Sequence, residues 1–432
     1  MKAWMCQLPL VSNAQSLYHL PKPDNPASNP RMQPHTQQTP WASAILPIAS
    51  IFSFRMLGLF MLIPVFTVYA GQLRGNTPFL AGLALGAYGL AQGLLQMPFG
   101  ILSDYFGRKP LLTIGLILFA LGSLIGVFSD SIYGVLLARI LQGTGAIGSV
   151  LTALLADLTP ASERTKAMAV IGITIGVSFS LAMVTSPAIA QYSGLSGIFA
   201  TTFGLAVCGL LMLHLVVPTP PPIPKNSAPF TALLAEVVRI PALQRLNAGI
   251  FIQHLILTST FYVIPMLLKH AETANAAGAS WRIYLPLVTG SFLAMLPLIY
   301  LAERKGYMRK VFPGCVLTTA LCQIGMALTS TFGLPLITAL FVYFICFNFL
   351  EASLPSLISR EAETRVRGSA MGVYSSCQFL GIFAGGTLAG MVYGHFGTHG
   401  IFIMNGIFGL LWAVIARKAG TPQVVLDRKI GL

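Results

Sequence analysis

Charge is what this chain has least of. Only 9% of its 432 residues are Asp, Glu, Lys or Arg, against about a quarter in a water-soluble domain. A chain that is 55% hydrophobic cannot keep its surface in water, so lipid must cover much of it. Acids are scarcer still, 12 against 26 bases, for a net charge of +14. The excess is not gathered into a patch, as nucleic-acid binding would require, but scattered over short segments between apolar runs. The six cysteines are Cys6, Cys208, Cys315, Cys322, Cys346 and Cys377, five of them inside apolar runs and none in a CxxC pair. This excludes a disulfide framework and a zinc site. No G-x-x-x-x-G-K-[ST], H-E-x-x-H or G-x-S-x-G occurs, so ATP is not the direct energy source and the common hydrolase motifs are missing. No nucleophile–base pair stands out, and an enzyme is not expected. Residues 1–41 contain no apolar core of the kind a cleavable leader needs.

What is present is length in the right units. A helix needs about 20 apolar residues to cross a bilayer, and twelve such runs follow one another from residues 43–70 to residues 398–416. With both termini on the cytoplasmic side, 21 of the 26 basic residues fall in cytoplasmic loops and tails. Arg74, Lys269 and Arg282 fall on the opposite side, and Arg55 and Arg139 lie within helices. That asymmetry sets the orientation. The expected fold is an all-α membrane protein of twelve transmembrane helices.

The chain divides into a Pro-rich tail (1–42), a first six-helix bundle (43–217), a cytoplasmic linker (218–245), a second bundle (246–416) and a short tail (417–432). The tail is expected to be disordered, with Met32 an alternative start to Met1. In the linker Phe230, Leu233, Leu234, Val237 and Val238 share one helical face, the pattern of an amphipathic surface helix. The bundles repeat. Leu151-Thr-Ala-Leu-Leu-Ala-Asp157 aligns with Leu354-Pro-Ser-Leu-Ile-Ser-Arg360 at an offset of 203, and residues 164–170 align with 367–373 at the same offset. Leu102-Ser-Asp-Tyr-Phe-Gly107 matches Leu301-Ala-Glu-Arg-Lys-Gly306 at 199. A duplicated six-helix unit places a substrate site between its halves.

The most specific string is Gly100-Ile-Leu-Ser-Asp-Tyr-Phe-Gly-Arg-Lys-Pro-Leu-Leu112. Gly100 permits close helix contact and Gly107 a tight turn. Asp104 can pair with a base or cap a helix N-terminus, and Arg108 and Lys109 carry loop charge. This string resembles motif A of the major facilitator superfamily. Leu57-Gly58 with Pro64-Val65 resembles the first-helix pattern of its drug:proton antiporters, and Arg139-Ile-Leu-Gln-Gly-Thr-Gly-Ala146 resembles its motif B. The fifth helix keeps the proline of motif C, Pro187, but has Ser186 before it. Phe54-Arg-Met-Leu-Gly58 and Ala370-Met-Gly-Val-Tyr-Ser375 are most similar to the bacterial YajR-type subgroup. The resemblance implies that motif A latches the halves in the outward-facing state, which makes Asp104 and Arg108 switch residues, and that Arg139 takes part in proton coupling.

Ionisable residues inside apolar runs are costly and functional by default. Glu351, with Asn348 one turn earlier, is the one acid well inside a run. It is either a proton carrier or half of a structural pair. Arg55 is either a substrate contact or a partner of Glu351. His254 is either a proton-carrying imidazole or a satisfied core residue. Tyr88, Gln92 and Gln96 share one face of the second helix, and Tyr374 and Gln378 one face of the eleventh. They line a polar cavity or join neighbouring helices. The expectation is a monomeric inner-membrane transporter, bathed in lipid, with no cofactor, no metal and no nucleic-acid partner. It exchanges protons for small amphiphilic compounds. Uptake symport of a metabolite is the nearest alternative, and a non-transporting receptor or scaffold a remoter one.

Overall fold

A computed structural model of the chain describes residues 41–160, 163–219, 230–273, 281–329, 332–363 and 366–417. The N-terminal tail with Met32, most of the Pro-rich start of the linker, and the residues after Arg417 lie outside the described residues. Every regular element among the described residues is helical. The first half holds α1 (Trp41–Phe60), α2 (Phe66–Ala70), α3 (Pro78–Phe106), α4 (Arg108–Val127), α5 (Ile132–Thr144), α6 (Gly148–Asp157) and α7 (Arg164–Leu215). After α8 (Phe230–Arg239), the second half holds α9 (Pro241–Thr273), α10 (Trp281–Ala294), α11 (Leu296–Ile299), α12 (Met308–Thr329), α13 (Leu334–Glu361) and α14 (Arg367–Ala416). A π-helical stretch, Tyr300–Arg304, extends α11.

Local chemistry sets several boundaries. Thr77 accepts a hydrogen bond from Leu80 N, and Pro78 supplies the first turn of α3. Ser131 caps α5 through Gly134 N. Gly107 has φ +91°, which turns α3 abruptly into α4.

Nine helical spans among the described residues are long and apolar enough to cross a membrane, and Ile45–Phe60 is a shorter apolar helix. The chain is therefore a multi-pass membrane protein. Two helices are too long for one crossing: α7 has 52 residues and α14 has 50, about 75 Å at 1.5 Å per residue. Each contains one non-helical glycine, Gly194 (φ 61°, ψ −155°) and Gly397 (φ 59°, ψ −155°). The chain doubles back there. Ser178 bonds Ser53, while Gly209, on the far side of the kink, faces Ile51, two residues from Ser53. In α14, Gly381 packs on Phe251, and Trp412 packs on Gly249, again two residues away. Ser178 and Gly381, Gly209 and Trp412, and the two kinks are all 203 residues apart. The duplication found in the sequence is thus a duplication of backbone and packing.

The apolar core has three parts. One lies in the second half, with Met183 from the first. Another lies in the first half, with Phe379 from the second. The third joins the halves: Met61, Leu62 and Phe66 pack with Tyr262, Val263 and Ala389. At this junction the backbone of α3 meets that of α14 with little between them. A Cβ on Gly86 would lie 2.7 Å from Phe383 O, and one on Gly89 2.5 Å from Phe379 O. Tyr262 also donates to Pro78 O at 2.9 Å. The halves are therefore sealed at the end where α3 begins. At the other end, where α3 passes into α4, no ion pair among the described residues joins the halves.

Candidate functional site

Three polar constellations interrupt this apolar frame. The first is the turn between α3 and α4. Arg108 is nearly buried and bridges two carboxylates: Nη1 to Asp104 Oδ1 at 2.5 Å and Nε to Asp157 Oδ2 at 2.9 Å. Its Nη1 also donates to Ser103 Oγ at 2.6 Å. Lys109 Nζ donates to Val217 O at 2.6 Å, just beyond the end of α7, where a cation complements the free carbonyls. Gly100 faces Ser149 of α6, but a Cβ there would stand 3.5 Å from Ser149 Oγ, an ordinary contact, so the close helix approach expected at this glycine is not seen. All these partners belong to the first half. In the second half the matching positions form their own bridge, Arg360 Nη2 to Glu303 Oε2 at 2.6 Å. Glu303 corresponds to Asp104 and Arg360 to Asp157. The first half has two acids and needs Arg108 to join them; the second has inverted one charge and joins directly.

The second constellation surrounds Glu351 on α13. Gln253 Nε2, from α9, donates to Oε2 at 3.0 Å, and Gln378 Nε2, from α14, to Oε1 at 3.0 Å. His254 Nε2 lies 3.9 Å from Oε2 and 2.9 Å from Gln378 Nε2. Because the Gln378 amide nitrogen is a donor, His254 Nε2 accepts, and Nδ1 carries the hydrogen toward Ile250 O at 3.3 Å. This is a neutral imidazole beside a carboxylate held by neutral amides. No Lys or Arg among the described residues forms an ion pair with Glu351. The Glu351 side chain retains 32% exposure, so the cluster opens to space large enough for solvent. Asn348 turns away and donates to Ser291 Oγ at 3.2 Å. Tyr374 is buried with its hydroxyl unpartnered.

The third constellation fills the middle of the first half with cations. Arg55 and Arg139 are each 1% exposed. Arg55 Nη2 donates to Gln92 Oε1 and to Gly145 O, and Gln92 Nε2 donates to Gln96 Oε1 at 2.5 Å. Arg139 Nη1 donates to Gln142 Oε1 at 3.0 Å, and its guanidinium lies 4.9 Å from the Tyr88 ring centre. Gln142 Nε2 passes the chain on to Ser123 Oγ at 2.9 Å. No carboxylate among the described residues pairs with either arginine.

The structure therefore brings Glu351, His254 and Gln378 together, and Arg55, Gln92 and Gln96 together. It does not pair Arg55 with Glu351: the arginine is taken up by α3 and by the break between α5 and α6. Gln253, Gln142 and Asp157 also take part, and they are not among the functional residues expected from the sequence. Gln142 was within reach, as the glutamine of the string that begins at Arg139. Gln253 carried no such signal, because α13 and α14 reach it only through tertiary packing.

The family model for the Major Facilitator Superfamily matches residues 48–381 and 246–429. The chain is 39% identical over 402 residues to the inner membrane transport protein YajR of Escherichia coli, covering 93% of this chain and 87% of that one. It is 25% identical over 351 residues to the quinolone resistance protein NorA of Staphylococcus aureus, covering 78% and 86%. Among solved structures, a bacterial homologue of the human lysosomal transporter Spinster, in an inward-facing and unoccupied conformation, superposes with a TM-score of 0.73. It has 14% identity and covers 88% of this chain and 97% of its own. The chain belongs to the Major Facilitator Superfamily and is a membrane transporter, not an enzyme.

Proposed function

We propose that this protein is a proton-coupled secondary transporter of the bacterial inner membrane that exports small amphiphilic compounds. It would act as a monomer of twelve spans with both termini in the cytoplasm. The spans are reached by counting α7 and α14 twice, on either side of Gly194 and Gly397, and adding the shorter α1. The basic residues then put the α3–α4 turn on the cytoplasmic side. In this orientation the seal between α3 and α14 closes the periplasmic side, and the site opens toward the cytoplasm. Rocking the halves would break that seal and bring the α3–α4 turn into play as the cytoplasmic latch.

One observation carries the coupling: Glu351 is held by the neutral amides of Gln253 and Gln378, beside His254 and without a fixed cation. A carboxylate in an apolar bundle needs a counter-charge, and here the mobile one is a proton. One charge crossing about 100 mV contributes roughly 2.3 kcal/mol, enough for appreciable uphill transport. The resistance function named for one relative supports export. Ser186 before Pro187, where antiporters of the family place glycine, favours the second reading, proton-driven uptake of a metabolite. The test is reconstitution with a pH indicator trapped inside liposomes and a panel of dyes, antibiotics, sugars and metabolites. Compound-dependent proton movement is expected, and its sign separates antiport from symport. No proton movement with any compound that the protein carries would overturn the coupling.

A further inference from the structure

The buried arginine on α1 has more hydrogen-bond donors than partners. Arg55 is 1% exposed, and its Nε and Nη1 have no partner. A guanidinium has five N–H donors and no acceptor, so it cannot relieve itself. Leaving such atoms dry is costly.

Its placement adds to this. The span made by α5 and α6 is broken at Gly145–Ile147. Ala146 N and Ile147 N turn back on Thr144 O and Gly145 O at 2.8 Å each. The ten-residue helix α6 then begins at Gly148, inside the bundle, and its first N–H groups have no intrahelical acceptor. The start of a helix carries partial positive charge. Arg55 Nη1 lies 3.6 Å from the point where a Cβ on Gly148 would stand, and Gln96 Nε2 and Oε1 lie 3.2 and 3.7 Å from the same point.

The amide orientations are forced. Arg55 can only donate, so Gln92 presents Oε1 to it and Nε2 to Gln96 Oε1. Gln96 is left with Nε2 facing Gly148. Both ends of the chain Arg55–Gln92–Gln96 thus bring donors to one spot, at the positive end of a helix, beside a residue with no side chain. The missing element is an acceptor with negative charge.

We propose that Arg55, Gln96 and the start of α6 form a binding site for the carboxylate of an organic anion, so that the cargo of this transporter is an amphiphilic acid. The planar guanidinium suits a carboxylate. This rests on the transport reading only in treating the ligand as cargo.

The test is thermal stabilisation of the purified full chain by 2-naphthoate and by dodecanoate, each against its primary amide, with sodium chloride matching the ionic strength. The acids should raise Tm by about 3 °C or more at saturation and the amides by less than 1 °C. Arg55→Gln should abolish the difference. Gly148→Ala should do so too while keeping every charge, because its methyl occupies the spot; alanine suits a helix start, so this variant tests the site even if Arg55→Gln does not fold. Equal shifts for acid and amide would overturn the proposal. So would shifts matched by chloride alone, or an acid preference that survives in Gly148→Ala. Proton-coupled flux is measured separately on the same preparations. A failure of coupling with an intact carboxylate shift bears on the transport reading and not on this site.

Discussion

Replacing Gly86 with alanine should open the sealed end of the molecule. The new Cβ would lie 2.7 Å from Phe383 O and 2.9 Å from Phe383 Cα, both backbone atoms that no rotamer change can move. Ordinary contact begins at 3.4 Å, so α3 and α14 must separate by at least ~0.7 Å. Overpacking of this kind costs about 1–3 kcal/mol. The helix itself gains up to about 1 kcal/mol from alanine, but in both conformations, so that gain cancels. The clash exists only while the halves are closed at this end. A cost of about 2 kcal/mol would therefore shift the balance toward the open form about thirty-fold. Spin labels on Gln72 and His395, both exposed at the sealed end, read the change by pulsed electron resonance in a cysteine-free background. The distance distribution should gain a longer component in Gly86→Ala and more of it in the double variant with Gly89→Ala. Unchanged distributions in both would refute the view that backbone contact holds this end shut.

Asp157→Asn leaves Arg108 nearly buried with one charged partner instead of two, and should cost about 1.5–3 kcal/mol in thermal or denaturant unfolding. Glu303→Gln removes the matching bridge of the second half, but Arg360 there is 59% exposed, so the same assay should register less than about 1 kcal/mol. Equal losses would mean that burial does not rank the two bridges. Gly397→Ala imposes a side chain on φ 59°, ψ −155°, a region reserved for glycine, and should destabilise by about 1–3 kcal/mol. A neutral result would place the turn of α14 elsewhere.

Much of this was legible in the sequence because its causes are local. Apolar run length gave the helices, and the spacing of Asp157 and Arg360 gave the repeat. Gly107 marked the turn at which Arg108 begins a helix. The doubling of α7 and α14 was legible as separate apolar runs, with the non-helical Gly194 and Gly397 between them. What was not legible depends on packing between distant segments. Gln253 and Gln378 are 125 positions apart and meet only at Glu351. The partner of Arg55 was open between cargo and Glu351, and only the folded chain shows that Gln92 and Gly145 take one nitrogen and leave two bare. The break at Gly145–Ile147 was written in its glycines, but its consequence, a helix start inside the bundle, needs coordinates.

The central claim is that Glu351 carries the coupled proton. Its most direct test is Glu351→Gln in proteoliposomes, measuring net transport driven by a pH gradient and, on the same vesicles, exchange of labelled for unlabelled cargo with no gradient. Glutamine keeps the shape and the hydrogen-bonding reach but cannot exchange a proton. The expected result is loss of gradient-driven accumulation with exchange retained. Undiminished gradient-driven accumulation by the variant would contradict the claim.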